Sequence, residues 1–231
     1  MVPNTDKGRR ELRLLSKSTT LHPRKGLVPF AEEVVLSAYP HPACLPVKHH
    51  QNYIMKKRVY YNPVIGDKAT LLKSAEETNG EVTLLEVVVN AGGGNILHRH
   101  VDYAEKFEVL EGDLTVTLKA EKRILRPGDV AVVPANTLHC FNNFSKHPVK
   151  FLVQFNPAQP GFERAIAIGY GLAADGLVDK RSIPRDLRHQ ALLFTMSGMV
   201  PSGFGKLLVP LLRLIAATSR RVKRELINRY C

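Results

Sequence analysis

Two short blocks constrain this chain more than any other feature. The first runs Gly92-Gly-Gly-Asn-Ile-Leu-His98-Arg-His100-Val-Asp-Tyr-Ala-Glu105 and on to Gly112; the second runs Gly128-Asp-Val-Ala-Val-Val-Pro134 and on to His139 and Asn143. His98 and His100 are two apart, which on a strand sends both imidazoles to one face. Glu105 follows after a brief excursion, and Gly112-Asp113 supplies a turn before the alternating run Leu-Thr-Val-Thr-Leu. A second hairpin closes at Arg126-Pro-Gly-Asp129 and brings His139 onto a strand able to lie beside the first block. A lone histidine in an apolar strand is ordinarily a core or surface residue. Here three imidazoles and a carboxylate fall in register with bracketing glycines, and together they form the ligand set of a catalytic divalent-metal centre.

Around these blocks the chain reads as all-β. From Arg58 to about Pro157 come nine short apolar or alternating runs, among them Val-Thr-Leu-Leu-Glu-Val-Val-Val and Val-Lys-Phe-Leu-Val-Gln-Phe, separated by Gly, Pro, Asn and Asp turns. Pro160-Gly-Phe-Glu163 opens a helix running towards Gly176. Three segments result: a basic extension over residues 1–54, a barrel over 55–157 and a helical extension over 158–231. Lys and Arg number 8, 14 and 11 against 4, 14 and 3 Asp and Glu in residues 1–54, 55–176 and 177–231, so the whole +12 charge lies outside residues 55–176, which contain the barrel. A neutral barrel argues against a nucleic-acid groove, and no helix-turn-helix pattern precedes it.

The spacing G-x5-H-x-H-x4-E-x6-G followed by G-x5-P-x4-H-x3-N resembles the paired signature of the cupin superfamily, in its single-domain, quercetin dioxygenase-like form. The resemblance implies a double-stranded β-helix, the cupin jelly-roll barrel, with C-terminal helices. It also implies one divalent transition metal per chain, iron first and manganese, nickel, cobalt or zinc as alternatives, held by His98, His100, Glu105 and His139. Asn136 stands where the family usually has glycine. Asparagine tolerates the left-handed conformation best among the other residues, so the turn is expected to survive.

With the glutamate retained, the resemblance implies a dioxygenase-like oxidoreductase acting on a small enol- or phenol-like molecule. Isomerase, lyase and decarboxylase activities use the same ligand set, and a non-catalytic small-ligand binder remains the other alternative. Strand alternation offers Ile96, Phe107, Val109 and Phe141 as apolar pocket walls, and Tyr103 as a polar contact acting on a substrate oxygen. No general base can be named; Glu86 reads as outward and solvated. His22, His41, His49, His50 and His147 read as solvated, with His189 in the basic tail.

From Leu208 a helical period gathers Leu211, Leu212, Ile215, Val222, Leu226 and Tyr230 into one stripe opposite Lys206, Arg213, Arg220 and Arg224, with Pro210 in the first turn. The favoured expectation is that this stripe packs on the outer sheet; attachment to an anionic membrane surface is not favoured, and the apolar run before it is too broken to span a bilayer. Residues 1–54 are either a genuine arm or the product of a start placed upstream of Met55, the latter favoured slightly. Cys44, Cys140 and Cys231 form no paired framework, which with the absence of a secretory signal points to reduced thiols in a cytoplasmic setting. A homodimer is the expected assembly.

Overall fold

Alternation along the chain becomes the pleat of two facing sheets. The computed structural model describes residues 58–231; the expectations for residues 1–54, and for Cys44 and the first four histidines, lie outside the described residues. The larger sheet contains β1 (Val59–Tyr61), β2 (Lys68–Lys73), β3 (Thr83–Val89), β5 (Ala104–Glu111), β8 (Val130–Val133) and β10 (Val149–Asn156), in the order β1-β2-β3-β10-β5-β8. The smaller contains β4 (His98–His100), β6 (Leu114–Leu118), β7 (Glu121–Leu125), β9 (His139–Asn142) and β11 (Met199–Pro201), in the order β11-β4-β9-β6-β7. All pairings are antiparallel, and this is the double-stranded β-helix, with C-terminal helices, that the resemblance implied.

The central strand shows why the sheets close on each other. In β10 every second residue, Val149, Phe151, Val153 and Phe155, is buried, while Lys150, Leu152 and Gln154 between them are only half-buried. Phe107 on β5 and Leu85 on β3 flank Val153 in register, and the inner faces form one apolar core. Burying a phenylalanine side chain contributes roughly 1.5–3 kcal/mol, so Phe107, Phe151 and Phe155 are principal supports. Glu86, next to inward Leu85, sits on the other face of β3 as expected.

Two backbone positions hold the ligand strands together. Asn136 adopts φ 62°, the left-handed turn expected of it, and its N–H donates to the carbonyl of His100 at 2.6 Å. Gly94 adopts φ 153° and bridges Asn142; a Cβ there would stand 2.5 Å from the Phe141 carbonyl oxygen. Only glycine lets the first block approach β9 so closely. Beside it, Asn143 is fully buried: its amide donates to the carbonyls of Val89 and His147, and its oxygen accepts from the N–H and hydroxyl of Ser145. Asn143→Leu would leave those groups unpaired in the interior, and a loss of about 2–4 kcal/mol is expected in urea unfolding.

The helical segment is α1 (Pro160–Ala174), α2 (Leu187–Ser197), α3 (Gly205–Thr218) and α4 (Arg220–Tyr230). Pro160 occupies the first turn of α1, where its missing N–H costs nothing. This helix has two apolar faces: Phe162, Ile166, Ala167 and Tyr170 meet the barrel core, while Ile168, Leu172 and Ala173 join a second core with the other helices. Asp186 caps α2 by accepting from the Arg188 N–H, and Gly198 ends it at φ 64°.

The expected single helix from Leu208 is corrected to two. Ser219 interrupts it, its hydroxyl donating to the Ile215 carbonyl, and because α3 starts at Gly205 the proline at 210 lies inside the helix. The stripe divides as well. Leu212, Ile215, Val222, Leu226 and Tyr230 pack in the second core against α1 and α2 rather than on the outer sheet, whereas Leu208 and Leu211 face outward.

Candidate metal centre

Register brings the four proposed ligands together. His98 pairs directly with His139 across β4 and β9, His100 shares the inward face of β4, and Glu105 begins the buried alternation of β5. All four are at least 96 % buried, and one ligand atom from each lies within 4.8 Å of all the others. Buried charge of this density is stable only if it is paired or binds a cation.

The outer hydrogen bonds settle which nitrogens face the centre. His98 Nδ1 lies 2.7 Å from the Ile96 carbonyl and His139 Nδ1 lies 2.9 Å from that of Thr137. A carbonyl only accepts, so both Nδ1 atoms carry protons and direct their Nε2 atoms inward, the arrangement typical of metal-binding imidazoles. His100 Nδ1 makes no well-formed hydrogen bond, although its ring faces the Gly198 backbone. The Nε2 atoms of His98 and His100 are 2.9 Å apart, and His139 Nε2 is 2.7 Å from Glu105 Oε2. A neutral His100 can donate an Nε2 proton to the His98 lone pair at that separation, and a bound cation would take the place of that proton. The residues present therefore fit a divalent metal, and His98, His100, Glu105 and His139 could hold it.

The electrostatics agree. Burial pushes His100 down to about 4, and burial together with the charge of His139 lowers His98. Burial opposes the charges of Glu105 and His139 too, but their mutual hydrogen bond and attraction outweigh it, holding the carboxyl below its ordinary range and the imidazole above its own. In the metal-free chain these two form an ion pair.

The other expected site residues divide. Phe141 lines a cavity of about 220 Å3 shared with His98, His100 and Glu105. Ile96 does not line it: 63 % of its surface is exposed, because β4 begins only at His98 and the inward alternation does not reach back to it. Phe107 and Val109 point inward but lie farther along β5, sealed in the core below the cavity. Tyr103 is buried and stacks on His100 with ring centroids 4.3 Å apart, while its hydroxyl donates to the Ser197 carbonyl at 2.8 Å. Burial raises its pKa strongly, so the phenol is a prop for the His100 ring rather than the substrate contact expected. Among the other described histidines, His147 is exposed as expected and His189, in the basic tail, is half-buried.

The sequence did not reveal Asp67. It shares the cavity with the ligands, is 6 % exposed, and accepts from the Asn90 N–H; burial pushes its carboxyl up to about 6. Tyr170 of α1 lines the same cavity, near enough for the Asp67 charge to raise its phenol further. Phe162 and Ile166 of α1 and Met199 of β11 complete the wall, so the helical extension is part of the site.

Comparison with known proteins finds one family match over the ligand-bearing strands. A family model described as "Cupin domain" matches residues 85–155. An uncharacterized protein of Methanocaldococcus jannaschii is 34 % identical over 70 residues, which are 30 % of this chain and 56 % of that protein; the chain thus matches little more than half of that relative. Among solved structures, an RmlC-like cupin from Shewanella frigidimarina is 19 % identical over 49 % of this chain and 96 % of its own, with a TM-score of 0.40. KdgF from Halomonas sp. is 23 % identical over 39 % and 78 %, with a TM-score of 0.36. The polyketide cyclase RemF from Streptomyces resistomycificus is 22 % identical over 41 % and 67 %, with a TM-score of 0.37. With its four ligands on paired strands and its family match over the same residues, this chain carries a cupin domain over residues 85–155.

Proposed function

We propose that this chain is a metal-dependent, dioxygenase-like enzyme acting on a small, largely apolar enol- or phenol-like molecule. The observation that carries the reading is one cavity lined both by His98, His100 and Glu105 of the ligand cluster and by a buried carboxyl whose pKa is pushed up to about 6. A bound divalent metal, with iron the first candidate, supplies a Lewis acid for an enol or phenol oxygen and, when redox-active, a meeting place for O2.

The chain's own residues supply the rest. Asp67 accepts the proton of the incoming hydroxyl and can return it, its raised pKa suiting it to both tasks near neutral pH. Phe141, Phe155, Phe162 and Met199 exclude water and hold an apolar body against the cluster. Tyr103 fixes the His100 ring from behind.

The test is oxygen consumption. Iron-, manganese- and nickel-loaded protein is incubated in air with a panel of enols and flavonols, and stoichiometric O2 uptake with at least one of them is the expected result. Turnover that proceeds equally without oxygen would identify an isomerase, lyase or decarboxylase, which the acid–base capacity of Asp67 also fits. Thermal stabilisation by a panel member with no turnover under either condition would identify a binding protein.

A further inference from the structure

The outward face of α3 is the part of the molecule that the barrel chemistry leaves unused. Leu207, Leu208, Leu211 and Leu214 are 75 %, 55 %, 52 % and 62 % exposed, and Phe204, just before the helix, is 90 % exposed. At about 100° per residue these side chains fall on one stripe, while Leu212, Ile215 and Ala216 occupy the adjoining face, packed against the helical core. Five large apolar side chains side by side on a surface mark a place where something docks.

Charge identifies the partner. From Leu187 to Arg224 the chain has seven Lys or Arg and no Asp or Glu. Lys206 and Arg213, seven residues apart, lie along one flank of α3, between the outward stripe and the packed face, and Arg220 and Arg221 follow immediately after Ser219. Among the described residues, Lys206, Arg213 and Arg220 have no ion-pair partner. A second copy of this face would set basic flank against basic flank with no acid between them, so self-association is opposed. An anionic lipid surface meets both demands, taking the leucines among the acyl chains while the long basic side chains reach the headgroups. No helix of the described residues is long and apolar enough to cross a membrane, which leaves attachment in the plane of the interface.

We propose that α3, with Phe204, docks this protein on anionic membrane surfaces, reversing the expectation that the whole stripe would be hidden against the protein. The test mixes the metal-loaded full chain with phosphatidylcholine vesicles and with mixed phosphatidylcholine–phosphatidylserine vesicles, then sediments them. The protein should pellet with the mixed vesicles only. Binding should weaken as salt shortens the screening length from about 10 Å at 0.1 M to about 3 Å at 1 M.

Leu207→Glu with Leu211→Glu replaces side chains that are already exposed. This double variant should keep its metal and melt cooperatively, yet bind at least about tenfold less. Lys206→Gln with Arg213→Gln should retain part of the binding with a shallower salt dependence. The proposal is overturned by wild-type protein that stays in the supernatant, or by a double variant that binds like wild type, which would move the contact to the basic residues 1–54. It is equally overturned if the double variant binds vesicles normally but elutes as a smaller particle in size-exclusion chromatography, which would assign the face to a second copy.

Discussion

Replacing His100 with alanine is expected to leave the purified protein almost free of metal. The wild-type chain, prepared without chelator, should contain close to one divalent ion; the variant loses one of three imidazole ligands and the ring on which Tyr103 stacks. Losing only a hydrogen-bond partner of a ligand typically weakens metal binding by about 10–100-fold, so loss of a direct ligand should lower occupancy below about a tenth after dialysis. Elemental analysis of the two proteins, with near-ultraviolet circular dichroism as a check on folding, decides it. Full metal content in a folded His100→Ala protein would disprove the site. Metal binding should also expel a proton, because His139 is held charged by Glu105 until a cation replaces it. The sign follows from that raised imidazole: as pH falls through its raised pKa, protons compete for His139 and the metal affinity begins to decline at a higher pH than an ordinary histidine would impose.

Asp67→Asn should make the metal-free protein more stable at pH 8 while destroying turnover. The folded carboxyl titrates at about 6, against an ordinary value of 3.8, because burial strips its charge of water. Between those values the folded chain binds more protons than the unfolded chain, so stability falls as pH rises through the window and stays lower above it. A tenfold difference in proton affinity between the two states corresponds to about 1.4 kcal/mol, which gives the asparagine variant an advantage of roughly 1–3 kcal/mol at pH 8, vanishing near pH 4. The amide oxygen can still accept from the Asn90 N–H. Urea unfolding at the two pH values measures the gain. Equal stabilities throughout would show that Asp67 carries no buried charge, and undiminished turnover would remove it from the chemistry.

What is legible in the sequence, and what is not, follows from the range over which each signal acts. Strands such as β3, β5 and β10 are long enough for alternation to declare their inner faces, and the ligands fall two apart on β4 or beside a turn that glycine announces. Asp67 follows Gly66 in a turn between β1 and β2, a context that in sequence reads as solvated; its burial comes from segments remote in sequence, Asn90 after β3 and Tyr170 of α1 among them. Tyr103 reads as a substrate contact because its spacing from His100 and Glu105 is visible, while its partner, the Ser197 carbonyl, is remote in sequence. β11 is too short to show any period. The break at Ser219 is hidden for the opposite reason, since the apolar repeat continues on both sides of it.

The pairing of β11 with β4 orders the life of the centre in time. Met199 and Pro201 lie opposite His100 and His98, so the strand carrying two ligands has one neighbour from the barrel and the other from the distal end of the chain. During synthesis the barrel strands emerge and can pair first, while β4 presents an open edge until β11 leaves the ribosome. Contacts between such distant segments form late, because closing the intervening loop must come before any gain from the contact. The nascent protein therefore passes through a stage in which all four ligands have emerged while the Met199 side of the pocket is still open.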